Sequence, residues 1–369
     1  MAEVRNLEEV KLDDAYKFGC GRYLQGRQVL EKAAPEVRRV GKKPFLVAGK
    51  RAWASTTNRI EQSLSDADID YSLMIYSGQT TYSKAKAIAK QARDENCDVI
   101  VGVGGGKIMD LAKAAAHFAK MPVLMVPTSI ATCAAFAPLS VMYTAEGASL
   151  GSLRYEHEVN AILVDLDVIA NAPARYIASG ILDGMAKLIE IQNGRGQIDS
   201  NELSIGLLTS YTLAQYTTKL YKSRGLQACK DTEKHTLTKN IEDIAYLNIA
   251  VSGIISGCSK GFGQSALAHE CYELIRTHFT KEAKDYLHGE IVALALPMQL
   301  SYNGQETEIP TIRSFMKQMN MPIFLPDIGI EATQQNLDIL FKDLYNSPFV
   351  VRSEQNAEKL RKAMQYLIE

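Results

Sequence analysis

Residues 97–126 read CDVIVGVGGGKIMDLAKAAAHFAKMPVLMV, and this stretch predicts a strand, a glycine turn, a helix and a second strand. The run Asp98 to Val103 is rich in valine and isoleucine, as in a strand buried on both faces. After Lys107, apolar residues recur at helical spacing. A helix that begins at a glycine turn exposes free backbone N–H groups and the positive end of its dipole. The turn therefore predicts a site for a phosphate or pyrophosphate.

The glycine turn matches neither of the two common phosphate-binding motifs. Counted from Gly102, the last position of Gly-x-Gly-x-x-Gly is Lys107. In a P-loop, Val101 would replace the first glycine and Ile108 the residue that binds magnesium. Three adjacent glycines also occur where a chain simply turns tightly. The motif alone leaves both interpretations open.

Length and composition limit the class of protein. A chain of 369 residues is long for a single core, so two domains are expected. Acidic and basic residues nearly cancel, 42 against 41, which argues against nucleic-acid binding. No apolar run approaches the ~18 residues of a membrane span, and residues 1–14 lack the apolar core of a signal peptide. The six cysteines form no Cys-x-x-Cys pair and indicate reduced thiols. We therefore expect a cytoplasmic protein that binds neither nucleic acid nor a membrane.

Strand and helix patterns alternate in the first part of the chain. This rhythm is typical of a parallel sheet covered by helices, whose ligands bind beyond the carboxyl ends of the strands. From Asp167 onward only helical patterns are convincing, and a further helix is expected over Leu24 to Val37. We predict an α/β dinucleotide-binding domain over residues 1–165 and an all-α metal-binding and substrate domain over residues 166–369. The predicted strands are 43–48, 69–76, 98–103, 121–126 and 160–165, and residues 139–143 are strand-like as well.

A carboxylate and two histidines in the helical part form a candidate metal site. Asp183 lies among small and apolar residues, where a carboxylate is costly to bury unless it is paired or bound to a cation. His269 follows the small residues of GQSALA, and His288 opens HGEIVALALP. Two imidazoles and a carboxylate from three helices would make a divalent site with an open position for substrate. Alternatively, the histidines are packing residues and Asp183 caps its helix.

Seven segments of the chain resemble the iron-containing alcohol dehydrogenase superfamily, in its glycerol-dehydrogenase-like branch, and they follow the order found in that family. The resemblance implies a dehydroquinate-synthase-like fold, in which a nucleotide-binding α/β domain and a helical domain enclose a cleft. The matching segments are GGGK (104–107) with Asp110, VPTS (126–129), PLSVMYT (138–144), VDLDVIANAPARY (164–176), ASGILDGMAK (178–187), ALAHE (266–270) and LHGE (287–290).

The resemblance also assigns roles to individual residues. It implies that Asp183, His269 and His288 hold Zn²⁺ or Fe²⁺, a ligand set that suits either metal. It implies that NAD or NADP lies along the glycine turn, with its pyrophosphate at Gly106 and Lys107. The residues that it assigns to the cofactor are Gly104, Gly105, Gly106, Lys107, Asp110, Thr128, Ser129, Leu139, Val141 and Tyr143.

Two positions depart from the pattern of glycerol dehydrogenases. Where those enzymes have an aspartate beside the polyol, this chain has Cys133, in a stretch similar to the hydroxycarboxylate dehydrogenases of the same branch. Loss of the carboxylate argues against glycerol and permits a 2-oxo or 2-hydroxy acid, because like charges repel at short range. Alternatively, Cys133 only packs in an altered pocket, or activity is lost. After the KPFLVA strand, Lys50 and Arg51 replace an aspartate, which slightly favours NADP over NAD, although both are also ordinary surface charges.

The predicted function is metal-dependent hydride transfer between NAD(P) and a small 2-hydroxy acid or polyol such as glycerol. The alternatives are a metal-dependent lyase or cyclase on the same fold, and a non-catalytic nucleotide-binding protein. The only partner expected besides the small-molecule substrate is a second copy of the chain in a homo-oligomer.

Overall fold

The computed structural model describes residues 17–196, 198–199, 201, 203–260 and 263–369. The absence of a signal peptide was expected from residues 1–14, which lie outside these ranges. Residues 1–16 of the proposed first domain lie outside them as well.

The first half is built on a six-stranded parallel sheet with the strand order β1-β8-β5-β4-β2-β3. A separate antiparallel hairpin, β6–β7, follows β5 in the chain. The parallel sheet predicted from the alternating pattern is confirmed. The strands are β1 Tyr23–Gly26, β2 Pro44–Ala48, β3 Ser72–Ile75, β4 Val99–Gly104, β5 Val123–Pro127, β6 Leu139–Tyr143, β7 Ser149–Arg154 and β8 Ala161–Asp165. The helices of this half are α1 Ala33–Arg38, α2 Lys50–Ser65, α3 Tyr82–Asp94 and α4 Gly106–Ala119.

Side chains of the central strands alternate between two apolar layers, as the period of a strand requires. Leu46 and Val101 belong to a core shared with α1 and α2. Phe45 and Ile100 belong to a second core shared with α3 and α4, which continues into the helical half. The sheet is therefore covered on both faces, and its second face joins the two halves of the molecule.

Helices make up the second half, and the part of it that the structure describes contains no strand. Its central helix, α12, is buried along nearly its whole length and packs against α6 and α10. The proposed domain boundary falls between β8 and the short helix α5. The helices are α5 Leu166–Ala170, α6 Ala174–Ile191, α7 Ile205–Glu233, α8 Lys239–Tyr246, α9 Ser252–Cys258, α10 Leu267–His278, α11 Thr280–Ala283, α12 His288–Asn303, α13 Ile309–Gln318, α14 Gln334–Asn346 and α15 Glu354–Met364.

The helix expected over Leu24 to Val37 is wrong in its first part. Tyr23–Gly26 pairs with β8 as an edge strand, and a 3₁₀ turn and the short α1 follow it. Apolar spacing in this segment was compatible with a helix, but pairing with a neighbouring strand is a tertiary effect that local spacing does not report.

One helical stretch, Lys239–Cys258, is long and apolar enough by length and composition to cross a membrane. In the folded chain 78% of its window is buried inside the protein. It includes α8, a π-helical turn at Leu247–Val251, and α9. Burial of this kind is what a core helix of the helical half requires.

Candidate active site

In the glycine turn at the end of β4, one glycine allows close packing and the next two leave space beside the backbone. A Cβ atom on Gly104 would lie 2.8 Å from Cβ of Ile108, so this glycine lets α4 pack closely on the sheet. A Cβ atom on Gly105 would meet nothing within 3.8 Å, and one on Gly106 nothing within 3.4 Å. Gly105 is the N-cap of α4, and none of the side chains that the structure describes caps the free N–H groups there. The open side of the turn therefore has the space and the positive dipole that an anion needs.

Four other residues assigned to the cofactor lie around this turn. The backbone N–H of Gly49 donates to the carbonyl of Val103 (3.0 Å), and this bond places the exposed Lys50 and Arg51 on the same edge of the sheet. The N–H of Thr128 donates to the carbonyl of Gly104 (2.9 Å). Ser129 follows directly, with its Cβ 3.8 Å from the position of a Cβ on Gly105.

Strand β6 presents alternate residues to two environments. Ser140 and Met142 are buried, and the hydroxyl of Ser140 donates to the carbonyl of Asp110 on α4 (2.7 Å). Leu139, Val141 and Tyr143, the residues assigned to the cofactor path, share the opposite and partly exposed face. These three side chains are therefore available to line a cleft.

Asp110 and Lys113 tie α4 to the loop that precedes β6. Burial raises the pKa of Asp110 against the attraction of Lys113, whose ammonium lies 3.1 Å from the Asp110 carboxylate. Lys113 also donates to the carbonyls of Ala134 (2.6 Å), Ala137 (2.9 Å) and Leu139. Asp110 thus holds the 134–139 loop and β6 through Lys113, one turn along α4 from the glycines.

Asp183 on α6, His269 on α10 and His288 on α12 converge in the second half. Their candidate ligand atoms all lie within 4.8 Å of one another. Nε2 of His288 lies 3.2 Å and Nε2 of His269 3.4 Å from Oδ1 of Asp183. Oδ1 is buried and has no hydrogen-bond partner within the part of the chain that the structure describes. A buried, unsatisfied carboxylate oxygen is costly unless a cation compensates it.

Close helix packing brings His288 to this point. Gly289 follows His288 in the first turn of α12, and a Cβ atom there would lie 2.1 Å from the backbone carbonyl oxygen of Ser179 on α6. Only glycine permits this approach. The His-Gly step in the sequence is therefore a requirement of the contact between α12 and α6.

Glu190, on α6, fixes the orientation of His269. Its Oε1 accepts from the backbone N–H groups of Ala266 (2.8 Å) and His269 (2.9 Å), and its Oε2 pairs with Nδ1 of His269. Burial acts to lower the pKa of His269, but the Glu190 and Asp183 carboxylates outweigh it and raise the pKa to about 10. A carboxylate on the outer nitrogen leaves Nε2 for a metal, as in carboxylate–histidine–zinc sites.

Lys187 and Cys133 lie in the electrostatic reach of Asp183. Burial acts to raise the pKa of Asp183, but Lys187 and the two imidazoles hold that pKa well below its usual value. Burial raises the pKa of the Cys133 thiol, with the charge of Lys187 opposing the shift. A protonated thiol in this position is a neutral packing group and a poor nucleophile.

Tyrosines connect the two candidate sites. The hydroxyl groups of Tyr143 on β6 and Tyr272 on α10 are hydrogen-bonded at 2.8 Å. The ring of Tyr272 packs edge-on against the imidazole of His288, with centroids 4.2 Å apart. The strand assigned to the cofactor and the carboxylate–histidine cluster therefore face each other across one shared contact.

Sequence reasoning missed three residues of this region: Glu190, Lys187 and Lys113. A signal for two of them was present, because Asp183, Lys187 and Glu190 follow the i, i+4, i+7 spacing of one helix face. His278, the third histidine of the group, pairs with Asp343 on α14 (2.8 Å), away from the cluster.

Comparison with known proteins gives consistent matches over most of the chain. A sequence model described as iron-containing alcohol dehydrogenase matches residues 20–166. A glycerol dehydrogenase of Escherichia coli O6:H1 is 30% identical, with 84% of each chain covered. A glycolaldehyde reductase of Halobacterium salinarum is 29% identical, with 86% of each chain covered. Hydroxycarboxylate dehydrogenase A of Escherichia coli K12 is 27% identical, with 78% of each chain covered.

A solved structure has the same fold. The crystal structure of a probable glycerol dehydrogenase from Sinorhizobium meliloti 1021 superposes with a TM-score of 0.81 at 23% sequence identity. The match covers 96% of this chain and 98% of that one. The arrangement of an α/β half and a helical half is therefore shared along essentially the whole length.

Proposed function

The chain belongs to the iron-containing alcohol dehydrogenase family and is a metal- and NAD(P)-dependent alcohol oxidoreductase, and from this premise we propose which of its residues perform the reaction. Asp183, His269 and His288 hold the metal ion, and the edge of the sheet around the Gly105–Gly106 turn holds the dinucleotide. The substrate is a small 2-hydroxy acid or polyol, or its carbonyl form, bound between the two.

The observation that carries this proposal is the unsatisfied Oδ1 of Asp183. It is buried between two imidazole nitrogens at 3.2 and 3.4 Å, and neither contact has the geometry of a hydrogen bond. Three donor atoms that converge without bonding one another suit a common cation. Glu190 adds the hydrogen-bonded outer partner that metal-binding histidines usually have.

Nitrogen and carboxylate donors in this number suit zinc or ferrous iron. A divalent ion bound here supplies Lewis-acid polarisation of the substrate oxygen. The protein residues keep Nε2 of both histidines aimed at one point, because Glu190 fixes His269 and the contact of Gly289 with α6 fixes His288. The ring of Tyr272, packed against His288, covers one side of that point.

The proposed cofactor is NAD or NADP, which supplies or accepts the hydride. The free N–H groups at the start of α4 and the side chain of Lys107 bind its pyrophosphate. Leu139, Val141 and Tyr143 line its path toward His288. Exposed Lys50 and Arg51 on the same edge support NADP, since their charges suit a 2′-phosphate.

The relatives support a small alcohol or carbonyl as the substrate, since they include a glycerol dehydrogenase, a glycolaldehyde reductase and a hydroxycarboxylate dehydrogenase. Neutral Cys133 beside the cluster leaves room for a substrate that carries its own negative charge. We further propose that the enzyme is cytoplasmic, as expected from the composition, and that it forms a homo-oligomer.

The test is the exchange His288→Ala with three measurements on the same sample. We expect zinc or iron content and turnover to be lost together, while the NADPH dissociation constant changes by less than about threefold, because the cofactor residues lie on other elements. His278→Ala is the matched control, since this histidine pairs with Asp343 away from the cluster. Retained turnover in His288→Ala would refute the metal role.

A further inference from the structure

Two lysines of this protein are equally buried, and they differ in what their ammonium groups contact. Lys113 and Lys187 both have only 2% of their surface exposed. The ammonium of Lys113 donates to three backbone carbonyls and pairs with Asp110. Among the residues that the structure describes, none forms a hydrogen bond or an ion pair with the ammonium of Lys187. The Lys187 side chain is thus buried along its length, while its ammonium is left available to an anion that enters the site.

Helix geometry directs Lys187 toward the proposed reaction site. It follows Asp183 by one turn on α6, and residues four apart on a helix are neighbours on one face. Its charge is close enough to both Asp183 and Cys133 to favour the ionised form of each. The free ammonium therefore lies beside the metal ligand and the residue that replaces the polyol-binding aspartate.

We propose that Lys187 binds the carboxylate of the substrate, so that the enzyme acts on small 2-oxo and 2-hydroxy acids. This inference rests on the proposed function and narrows its substrate class. The ammonium of Lys187 donates to one carboxylate oxygen, while the adjacent carbonyl or hydroxyl group points toward Asp183 and the two histidines. A neutral polyol offers no negative charge to the ammonium of Lys187.

The charges around the site favour a carboxylate over a phosphate. Of the two lysines whose charges act on Cys133, Lys113 has its donors occupied by carbonyls and Asp110, so within this pair only the ammonium of Lys187 is available to an anion. One free ammonium matches one negative charge. Sites for phosphate groups usually combine several cationic or backbone donors.

The first test needs no variant. Initial rates of the metal-loaded enzyme with NADPH and with NADH are compared for 2-oxobutanoate and 1-hydroxybutan-2-one, which carries CH₂OH in place of the carboxylate. We expect kcat/KM to be on the order of 100-fold higher for the oxo acid, because the free energy of a charge-assisted hydrogen bond corresponds to a factor of this size. Equal or higher kcat/KM for the neutral ketone overturns the proposal. So does a preference for dihydroxyacetone phosphate, which carries a phosphate.

The second test changes Lys187. In Lys187→Met, which keeps length without charge, we expect kcat/KM for 2-oxobutanoate to fall about 100-fold and that for the ketone to change by less than about fivefold. Lys187→Arg should retain part of the preference, and the exposed Lys219→Met should match the wild type. Equal losses on both substrates, with metal content and NADPH affinity intact, contradict a role in carboxylate binding.

The third test separates this inference from the proposed reaction. Oxamate, an unreactive analogue of a 2-oxo acid, is titrated calorimetrically into chelator-treated wild type and Lys187→Met. Oxamate binding that depends on Lys187 supports the anion site even if the enzyme reduces no carbonyl compound. A failure to reduce carbonyl compounds would count only against the proposed function. Equal oxamate affinity in both proteins overturns the assignment of Lys187, whatever the turnover results.

Discussion

In the α/β half, the proposed pyrophosphate site lies on one contiguous segment, Val99–Ala119, where the end of β4 leads directly into the first turn of α4. In the helical half, the proposed metal ligands come from α6, α10 and α12, with one ligand on each. The first geometry is set by local backbone, and the second by how three helices pack. A local site depends on its own residues, whereas an assembled site also depends on residues that hold its parts, such as Glu190 and Gly289.

The two sites also differ in the charge they present. The start of α4 offers uncapped N–H groups and the positive end of a dipole. The three-helix cluster offers the carboxylate of Asp183, with Glu190 behind His269. One site is therefore suited to an anion and the other to a cation, so a change of one charge in either site should leave the other intact.

The exchange Gly106→Asp should break the cofactor site alone and have the largest effect. A Cβ at Gly106 would lie no closer than 3.4 Å to its neighbours, and an acidic residue in the first turn suits the helix dipole, so the fold should be retained. The new carboxylate would face the pyrophosphate, and at short range this repulsion amounts to about 4 kcal/mol. We expect NADPH and NADH dissociation constants to rise on the order of 100-fold or more, measured by fluorescence titration, with zinc content unchanged.

Gly106→Ala is the control for added bulk. Its Cβ would lie 3.4 Å from the hydroxyl oxygen of Thr132, which is a tight but adjustable contact. We expect its cofactor affinity to fall by less than about tenfold. If alanine is as harmful as aspartate, crowding explains the effect, and the turn need not bind an anion.

The exchange Glu190→Gln should weaken metal binding at the three-helix site without replacing any proposed metal ligand. It removes the charge that holds Nδ1 of His269 but preserves side-chain size. Loss of such an outer partner typically lowers metal affinity about 10- to 100-fold. Zinc affinity, measured by competition with a chromogenic chelator, should fall by this amount, and NADPH affinity should not change. Exposed Glu358→Gln is the control, and unaltered zinc affinity in Glu190→Gln would mean that Glu190 only packs His269.

The contrast between a local and an assembled site also explains what the sequence could predict. Strand β4, the glycine turn and α4 were predicted within a few residues, because their pattern is local. Asp183, His269 and His288 were singled out as a group through their family segments, since spacing alone did not distinguish them from packing residues. The structure brings them together through contacts of α6, α10 and α12 that no local pattern specifies.

Residues that support these sites were harder to predict than residues within them. Lys113 reaches three carbonyls of the 134–139 loop, and such a bond between distant segments leaves no periodic signal. The edge strand Tyr23–Gly26 was mistaken for helix because its partner, β8, lies far along the chain. Glu190 and Lys187 did leave a signal, since they share a helix face with Asp183, but a charge on a helix is usually solvated.

The smallest predicted effect concerns two cations beside the glycine turn and tests whether they make the cofactor site prefer NADPH to NADH. Lys50 and Arg51 begin α2 beside the glycine turn, held there by the bond from Gly49 to Val103. Both are exposed, so each contact with a 2′-phosphate would be screened and worth about 1 kcal/mol or less. For the double exchange Lys50→Gln and Arg51→Gln, we expect NADPH affinity to fall about fivefold to tenfold and NADH affinity to stay within about twofold.

The ratio of the two dissociation constants isolates the 2′-phosphate, because both cofactors share every other contact. A lower salt concentration should enlarge the difference in the wild type but not in the variant, and an equal loss for both cofactors would assign these cations to the pyrophosphate or to the surface.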